Sequence, residues 1–232
     1  MREIVLDTET TGLDPEKGDR LVEIGCVELF NHMPTGETYH QYINPQRDMP
    51  VEAFNVHGLS EKFLADKPLF PAVAAEFLKF IGNSKLIIHN ASFDMKFLNA
   101  ELRWAEKPAI PMAQATDTLE IARRKFPGAQ NSLDALCRRF GIDSSARSLH
   151  GALLDSQILA EVYLELIGGR QPDFALSVVQ TTDKVARSGQ AGPQTASQRP
   201  NALPARITED ERAAHAAFVA ALGENAIWRK IS

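Results

Sequence analysis

The stretch "EIVLDTETTGLD", residues 3–14, constrains this chain more than any other. Ile4, Val5 and Leu6 form a continuous apolar run, which marks a central strand covered on both faces. Two carboxylates then follow two positions apart, Asp7 and Glu9. Alternate side chains of a strand point the same way, with Cα atoms about 7 Å apart. An arbitrary acid–x–acid pair is an exposed edge with two solvated anions. At the end of a central strand the same pair is costly to bury unless a cation holds it. Thr10, Thr11, Gly12 and Leu13 come next and read as a sharp turn beside something bound.

Periodic apolar segments continue to about residue 168. "RLVEIGCVELF" and "GETYHQYINP" read as two further strands joined by the turn "NHMPTG". "PLFPAVAAEFLKFIG" has helical spacing and stops at Gly82; "KLIIH" is a short buried strand. "SFDMKFLNAELRWA", "DTLEIARRKF", "SLDALCRRFG" and "GALLDSQILAEVYLELIGG" read as helices. Strands first, then strand and helices in alternation, predict an α/β fold with a mixed sheet and helices on its faces.

Two more acids occupy apolar helix faces. Asp94 has Phe97, Leu98 and Leu102 as its helical neighbours. An acid in a first turn ordinarily serves the helix dipole, but that role does not require an inward face. Asp155 lies on the stripe of Ile158, Leu159, Val162 and Leu166. An isolated buried aspartate costs several kcal/mol, about 2–7 on transfer scales even for a neutral polar group, so a partner is required. An arginine or a backbone group is the structural alternative. Four inward acids on three elements together suggest convergence on divalent metal, and oxygen ligands suit Mg²⁺ or Mn²⁺ rather than Zn²⁺. Two such ions about 3.5–4 Å apart clamp both oxygens of a phosphodiester under attack. His150, five residues before Asp155, is a solvated helix-start histidine or, beside metal, the base that takes a proton from bound water. His89 reads as structural or as a support behind the site's ligands, His57 as a substrate contact, and His32, His40 and His215 as surface.

"DTETTGL", "HNASFD" and "LHGALLD" resemble, in order, the three motifs of the DEDDh exonuclease family. The match places Asp7, Glu9, Asp94 and Asp155 in the acidic set and His150 in the His-x4-Asp arrangement. "FPGAQNSLDALCRRFGID" and "LHGALLDSQILAEVYL" resemble the branch of that family that proofreads for bacterial replicative polymerases. The resemblance implies a ribonuclease-H-like, five-stranded mixed sheet and 3′→5′ hydrolysis of DNA, with release of nucleoside 5′-monophosphates. It implies Asp7 bridging two Mg²⁺ or Mn²⁺ ions, Glu9 and Asp155 completing their shells, Asp94 binding directly or through water, and His150 as general base. It implies a pocket for the DNA 3′ end lined by Thr10, Thr11, Gly12 and Leu13, with Leu13 wedged between the last bases and His57 touching substrate.

Composition changes after Gly169. "TTDKVARSGQAGPQTASQRPNALPAR" has few large apolar residues and reads as a flexible linker. "TEDERAAHAAFVAALG" returns to helix, with Thr208 as N-cap and acids in the first turn. Its apolar residues, with Trp228 beyond, need a partner surface. The expected organisation is an exonuclease domain over residues 1–170, a linker over 171–206 and a docking helix over 207–232. The resemblance implies that the polymerase subunit binds this last segment. "QPDFAL", residues 171–176, resembles a sliding-clamp motif but lacks the paired aromatic ending. A small accessory subunit is a further partner open to this branch.

The 232 residues are 44% hydrophobic and 24% charged, with a net charge of −5, which excludes a protein that holds nucleic acid by bulk positive charge. Two cysteines, Cys26 and Cys137, are too few for a disulfide framework and suit a reducing cytoplasm. The start "MREIVLD" runs straight into a strand and reads as lacking a secretory signal, and no apolar run reaches membrane-spanning length. Two rival readings remain open from the residues alone. One is an RNA-trimming exonuclease with the same chemistry and no need of a docking tail. The other is a silent polymerase scaffold, against which all five catalytic positions are filled.

Overall fold

The apolar run at the chain's start builds β1, Arg2–Thr10, and β1 becomes the middle of a five-stranded sheet. The structure is a computed structural model describing residues 1–145, 149–168 and 208–222. β2, Leu21–Phe30, pairs antiparallel with β1, and β3, Met33–Tyr42, antiparallel with β2. β4, Lys85–Ile88, and β5, Ala115–Asp117, continue in parallel on the other side of β1, giving the order β3-β2-β1-β4-β5. The carboxyl ends of β1, β4 and β5 therefore lie along one edge of the sheet.

The β2–β3 turn differs from the expected six residues. Only Asn31 and His32 form it, both with positive φ (51° and 66°), the geometry that matches the twist of a tight hairpin. "MPTG" belongs to β3, where Pro34 is tolerated because β3 is an edge strand with a register shift opposite it. Two helices that the apolar pattern did not reveal follow: α1, Val51–His57, and α2, Glu61–Leu64. The expected helices are α3, Phe70–Ile81; α4, Ala91–Trp104; α5, Thr118–Lys125; α6, Leu133–Phe140; and α7, Ala152–Leu166.

β1 sorts its side chains between two cores. Ile4 and Leu6 join a cluster with Phe70, Phe77, Phe97 and Leu98 of α3 and α4. Val5, on the other face, packs with Leu159, Ala160 and Tyr163 of α7. Each large side chain buried in this way contributes about 1.5–3 kcal/mol. Asp7 and Glu9 share the parity of Val5, so they face α7.

Gly25 sets how closely α7 approaches. A Cβ there would stand 2.2 Å from the backbone carbon of Ala152 and 2.2 Å from the nitrogen of Leu153. The first turn of α7 thus lies backbone-on-backbone against β2, and the Ser156 hydroxyl donates to the Gly25 carbonyl at 2.9 Å. Gly25 is the ladder partner of Asp7. A glycine inside a strand marks such an approach.

The chain divides into two units, Met1–Leu176 and Ser177–Ser232. In the second, α8 spans Glu209–Ala221 and starts with a reciprocal capping box between Thr208 and Glu211. Phe218 and Leu222 are exposed on it. The predicted linker, residues 171–206 with "QPDFAL" inside it, and Trp228 fall outside the described residues, apart from the Thr208 cap and α8 that follow the linker. Among the described residues no helix is long and apolar enough to cross a membrane.

Gly25→Ala forces α7 off the sheet. It is expected to lower unfolding free energy by about 1–3 kcal/mol, the usual cost of overpacking, in urea titrations. An unchanged midpoint would show that the contact yields easily.

Candidate active site

The sequence fixes which end of β1 is chemical. Glu3, Val5, Asp7 and Glu9 alternate along one face, under the full length of α7. At one end Glu3 has internal neighbours. Tyr163, near the end of α7, donates its hydroxyl to Glu3 at 2.9 Å, and His32 lies 2.7 Å from the other carboxylate oxygen. At the opposite end Glu9 meets the first turn of α7, and here acids gather.

Glu9, His150 and Asp155 present ligand atoms that all lie within 4.8 Å of one another. Glu9 and Asp155 are buried, at 8% and 2% exposure, and His150 is open to solvent. The His150 ring, through Nδ1, stands 3.2 Å from Asp155. Two buried carboxylates this close repel each other, and a bound cation reverses the sign of that interaction. The donor set therefore fits a divalent metal. It includes an imidazole, which the oxygen-only set of the sequence reading left out, and carboxylates with an imidazole also suit zinc. Asp7 is half-buried on the same strand face, across the ladder from Gly25.

Asp94 comes from the other side of β1. Thr8, whose parity is that of Ile4 and Leu6, donates its hydroxyl to Asp94 at 2.7 Å. Asp94 is 3% exposed, and its carboxyl is pushed up to about 7 by that burial, against the hydrogen bond from Thr8. Asp117 organises the turn before it. Its carboxylate accepts from the backbone N–H groups of Asn90 and Ala91 at the start of α4 and of Leu119 in α5. One half-buried acid thus serves the starts of two helices. His89 lies 2.9 Å from the Thr118 hydroxyl, and burial lowers its pKa.

The substrate-contact candidates line one cleft of about 460 Å³. Thr10, Thr11, Gly12, Leu13 and His57 are among its walls, with Val56 and Phe93. Leu13 is 81% exposed, an apolar side chain held out in water. The turn that carries it is anchored behind. Arg20 makes two bonds to buried Glu101, at 2.7 and 2.8 Å, and its backbone exchanges hydrogen bonds with Thr11. A side chain at Gly12 would run into the Asp19 carboxylate at 2.4 Å. His57 is buried, accepts the Leu59 N–H at Nδ1, and is held below its ordinary pKa chiefly by burial. The Val56 carbonyl accepts the backbone N–H of His150 at 3.0 Å, which ties α1 to the histidine motif.

Sequence reasoning missed Thr8, Gly25, Asp117 and the α1 dock. Thr8 and Gly25 had readable signals: a hydroxyl opposite Asp7 in strand parity, and a glycine interrupting "VEIGCVEL". His32 and His40, read as surface, each contact a buried glutamate, Glu3 and Glu23. Those acids are remote in sequence, so no local pattern announces the pairs.

The pattern of the Exonuclease family matches residues 4–163. The chain belongs to that family. Its curated relatives are DNA polymerase III epsilon subunits: that of Rickettsia felis is 58% identical over 76% of this chain and 78% of its own length. The Escherichia coli K12 epsilon subunit is 44% identical over 98% of this chain and 97% of its own. Among solved structures, exonuclease X in complex with 5′-overhanging duplex DNA aligns at a TM-score of 0.57, 27% identical, over 71% of this chain and 90% of that one. The nuclease domain of 3′hExo, a DEDDh family member bound to rAMP, aligns at 0.62 with 22% identity, over 72% of this chain and 91% of that one, and shows the shared fold.

Burial favours the neutral Asp94 carboxyl, so the folded chain keeps a proton that the unfolded chain loses near its ordinary value of 3.8. The stability this confers is complete below that value and is lost as pH rises through about 7. In EDTA, Asp94→Asn is expected to flatten the fall in melting temperature between those pH values. An identical pH profile in the variant would place the proton elsewhere.

Proposed function

We propose that the cluster at the end of β1 removes mismatched nucleotides from DNA 3′ ends by metal-assisted phosphodiester hydrolysis. The chain is a proofreading 3′→5′ exonuclease of the DNA polymerase III epsilon kind. The observation that supports this mechanism most directly is the convergence of Glu9, His150 and Asp155 from β1 and α7, beside a cleft headed by exposed Leu13.

Exonucleases of this family depend on metal. Asp7, Glu9 and Asp155 are the residues that would hold two divalent ions, Mg²⁺ or Mn²⁺, with Asp94 as a direct or water-mediated ligand. Such ions supply Lewis-acid stabilisation of the phosphate and a more acidic bound water. The chain's own groups do the rest. Thr10, Thr11 and Gly12 receive the terminal nucleotide, and their backbone fixes its sugar. Leu13 separates the last base from its neighbour by apolar contact. His150, exposed and leaning on Asp155, takes the proton of the attacking water. Burial of Glu9 and Asp155 keeps bulk water from screening them. His57, neutral and fixed by Leu59, walls the nucleotide cleft.

The polymerase alpha subunit is the partner proposed for residues 207–232, on the strength of the exposed Phe218 and Leu222 of α8. The sliding clamp is the partner proposed for residues 171–176. A tether of this kind raises local concentration at the primer end without new contacts.

A 5′-labelled primer–template, matched or mismatched at its 3′ end, is to be digested beside single-stranded RNA with Mg²⁺, Mn²⁺, Zn²⁺ or EDTA. Metal-dependent stepwise shortening of DNA, faster at the mismatch, is expected. Preference for RNA would move the chain to RNA processing. The Asp7→Ala, Glu9→Ala double variant is expected to abolish hydrolysis, and His150→Ala to lower kcat by about 10²–10⁴. Wild-type activity in the double variant would locate the chemistry elsewhere. Removing residues 177–232 is expected to end co-purification with the polymerase subunit and spare nuclease activity, and retained tight binding would contradict the docking assignment.

A further inference from the structure

A second cavity lies on the same sheet edge, beyond β4 and β5. Its volume is about 580 Å³, and His89, Asn90, Arg123, Gly128, Asn131 and Ser132 line it. His89 and Asn90 directly follow β4, and α5, which carries Arg123, directly follows β5. Because β1, β4 and β5 are parallel, the cavity sits outside the carboxyl ends of β4 and β5, one and two strands from the end of β1. That is about 5–10 Å at ordinary strand spacing. Ligands of open α/β sheets bind at this edge.

Two features of the cavity point to an occupant. Asn131 is 8% exposed, and both its amide contacts go to carbonyls, of Phe126 and Ala129. Its orientation is thereby fixed, and Oδ1, the acceptor, has no hydrogen-bond partner. A buried acceptor left in that state costs about 1–3 kcal/mol and calls for a donor. Arg123 is the second feature. The segment 118–140 holds five cations (Arg123, Arg124, Lys125, Arg138, Arg139) against two anions (Glu120, Asp134), a local +3 in a chain of net −5. Others of these cations have partners. Lys125 donates to carbonyls at the end of α7, Arg139 stacks on Phe126, and Arg124 is 3.9 Å from Glu120. Arg123 is exposed at the cavity and makes no ion pair among the described residues.

An occupant that placed an anion beside Arg123, and a donor at the cavity wall formed by Asn131, would satisfy both groups. A nucleotide unit has both, on its base edge and its phosphate. We propose that this cavity is an upstream subsite that holds a nucleotide of the substrate strand on the 5′ side of the scissile bond. It rests on the exonuclease reading, which puts the terminal nucleotide in the Leu13 cleft. The Leu13 cleft includes Glu9 in its lining and the second cavity follows β4 and β5, so a strand that occupied both would pass the end of β1.

Arg123→Gln and Ala129→Phe test the subsite, the first removing the cation and the second filling the space. Three substrates separate the outcomes. p-Nitrophenyl thymidine 5′-phosphate has no upstream nucleotide, free thymidine 5′-phosphate serves as a competitor, and a single-stranded hexanucleotide reaches across. For the hexanucleotide, KM is expected to rise about five- to tenfold in each variant, and Arg123→Gln is expected to lessen the salt slope of log KM by about 0.7, one single-strand phosphate contact. Turnover of the p-nitrophenyl ester and inhibition by free nucleotide are expected to stay as in the wild type. Arg123→Lys restores most of the salt slope. Unchanged KM and slope in both variants would overturn the subsite while leaving the exonuclease intact. Weakened inhibition by free nucleotide would show that the cavity takes the product instead, and overturn it as well. No hydrolysis of any substrate by the wild type would fail the exonuclease reading itself.

Discussion

The missing side chain at Gly25 is the constraint on which this structure turns. A helix normally stands off a sheet by the depth of its side chains. At the start of α7 the helix backbone touches the backbone of β2 instead. That local approach lowers Asp155 to the level of Glu9 and sets His150 at the rim, where the Val56 carbonyl fixes its backbone. The apolar contacts of Leu159, Ala160 and Tyr163 keep the rest of α7 on the sheet. They supply energy but not this placement, because apolar attraction has no direction.

The two ends of β1 show what distinguishes a structural buried acid from a chemical one. Glu3 and Glu9 share a strand face and a covering helix. Glu3 has a hydroxyl donor in Tyr163 and a histidine beside it, and the hydroxyl's pKa is raised by burial and by the acid it serves. Glu9 shares its cluster with a second carboxylate, Asp155, and with His150. Folding alone gains nothing from that juxtaposition, since it adds repulsion to desolvation. A cation bound between the two carboxylates would turn that repulsion into attraction.

How much of this was legible follows the range of the interactions. The strands and long helices were readable because their signals are periodic within ten residues. Asp94 and Asp155 were readable because each interrupts such a period. The hairpin turn was misplaced because Asn31 and His32 are not the Asn–Gly pair that usually marks positive φ, while Pro34 and Gly36 nearby are stronger turn signals. β5 is three residues long, α1 has no apolar stripe of its own, and α2 is a single turn, so each depends on neighbours for its identity. The separate hold of Thr8 on Asp94 was visible only as parity: residues 7 and 9 face one helix, and 8 faces another. The bond that resulted spans 86 residues.

Charge placement follows from the same geometry. A cluster of carboxylates at the end of β1 repels a phosphodiester until cations intervene, so attraction for a nucleic-acid strand has to come from beside the acids. Of the cations of α5 and α6, Arg123 lines the cavity outside the ends of the adjoining parallel strands, whereas Lys125 is held at the far end of α7. A net charge of −5 is therefore compatible with a strand-binding enzyme, provided the field is local. Screening limits such a field to about 8 Å at physiological salt, close to the distance from β1 to β5 across two strand spacings. Under the proposed reading, a cation at that range would steer a strand whose end lies in the Leu13 cleft and exert little pull on duplex DNA elsewhere. An enzyme meant to act only where a polymerase delivers a frayed end gains by that economy, because broad basic surface would hold it on undamaged DNA.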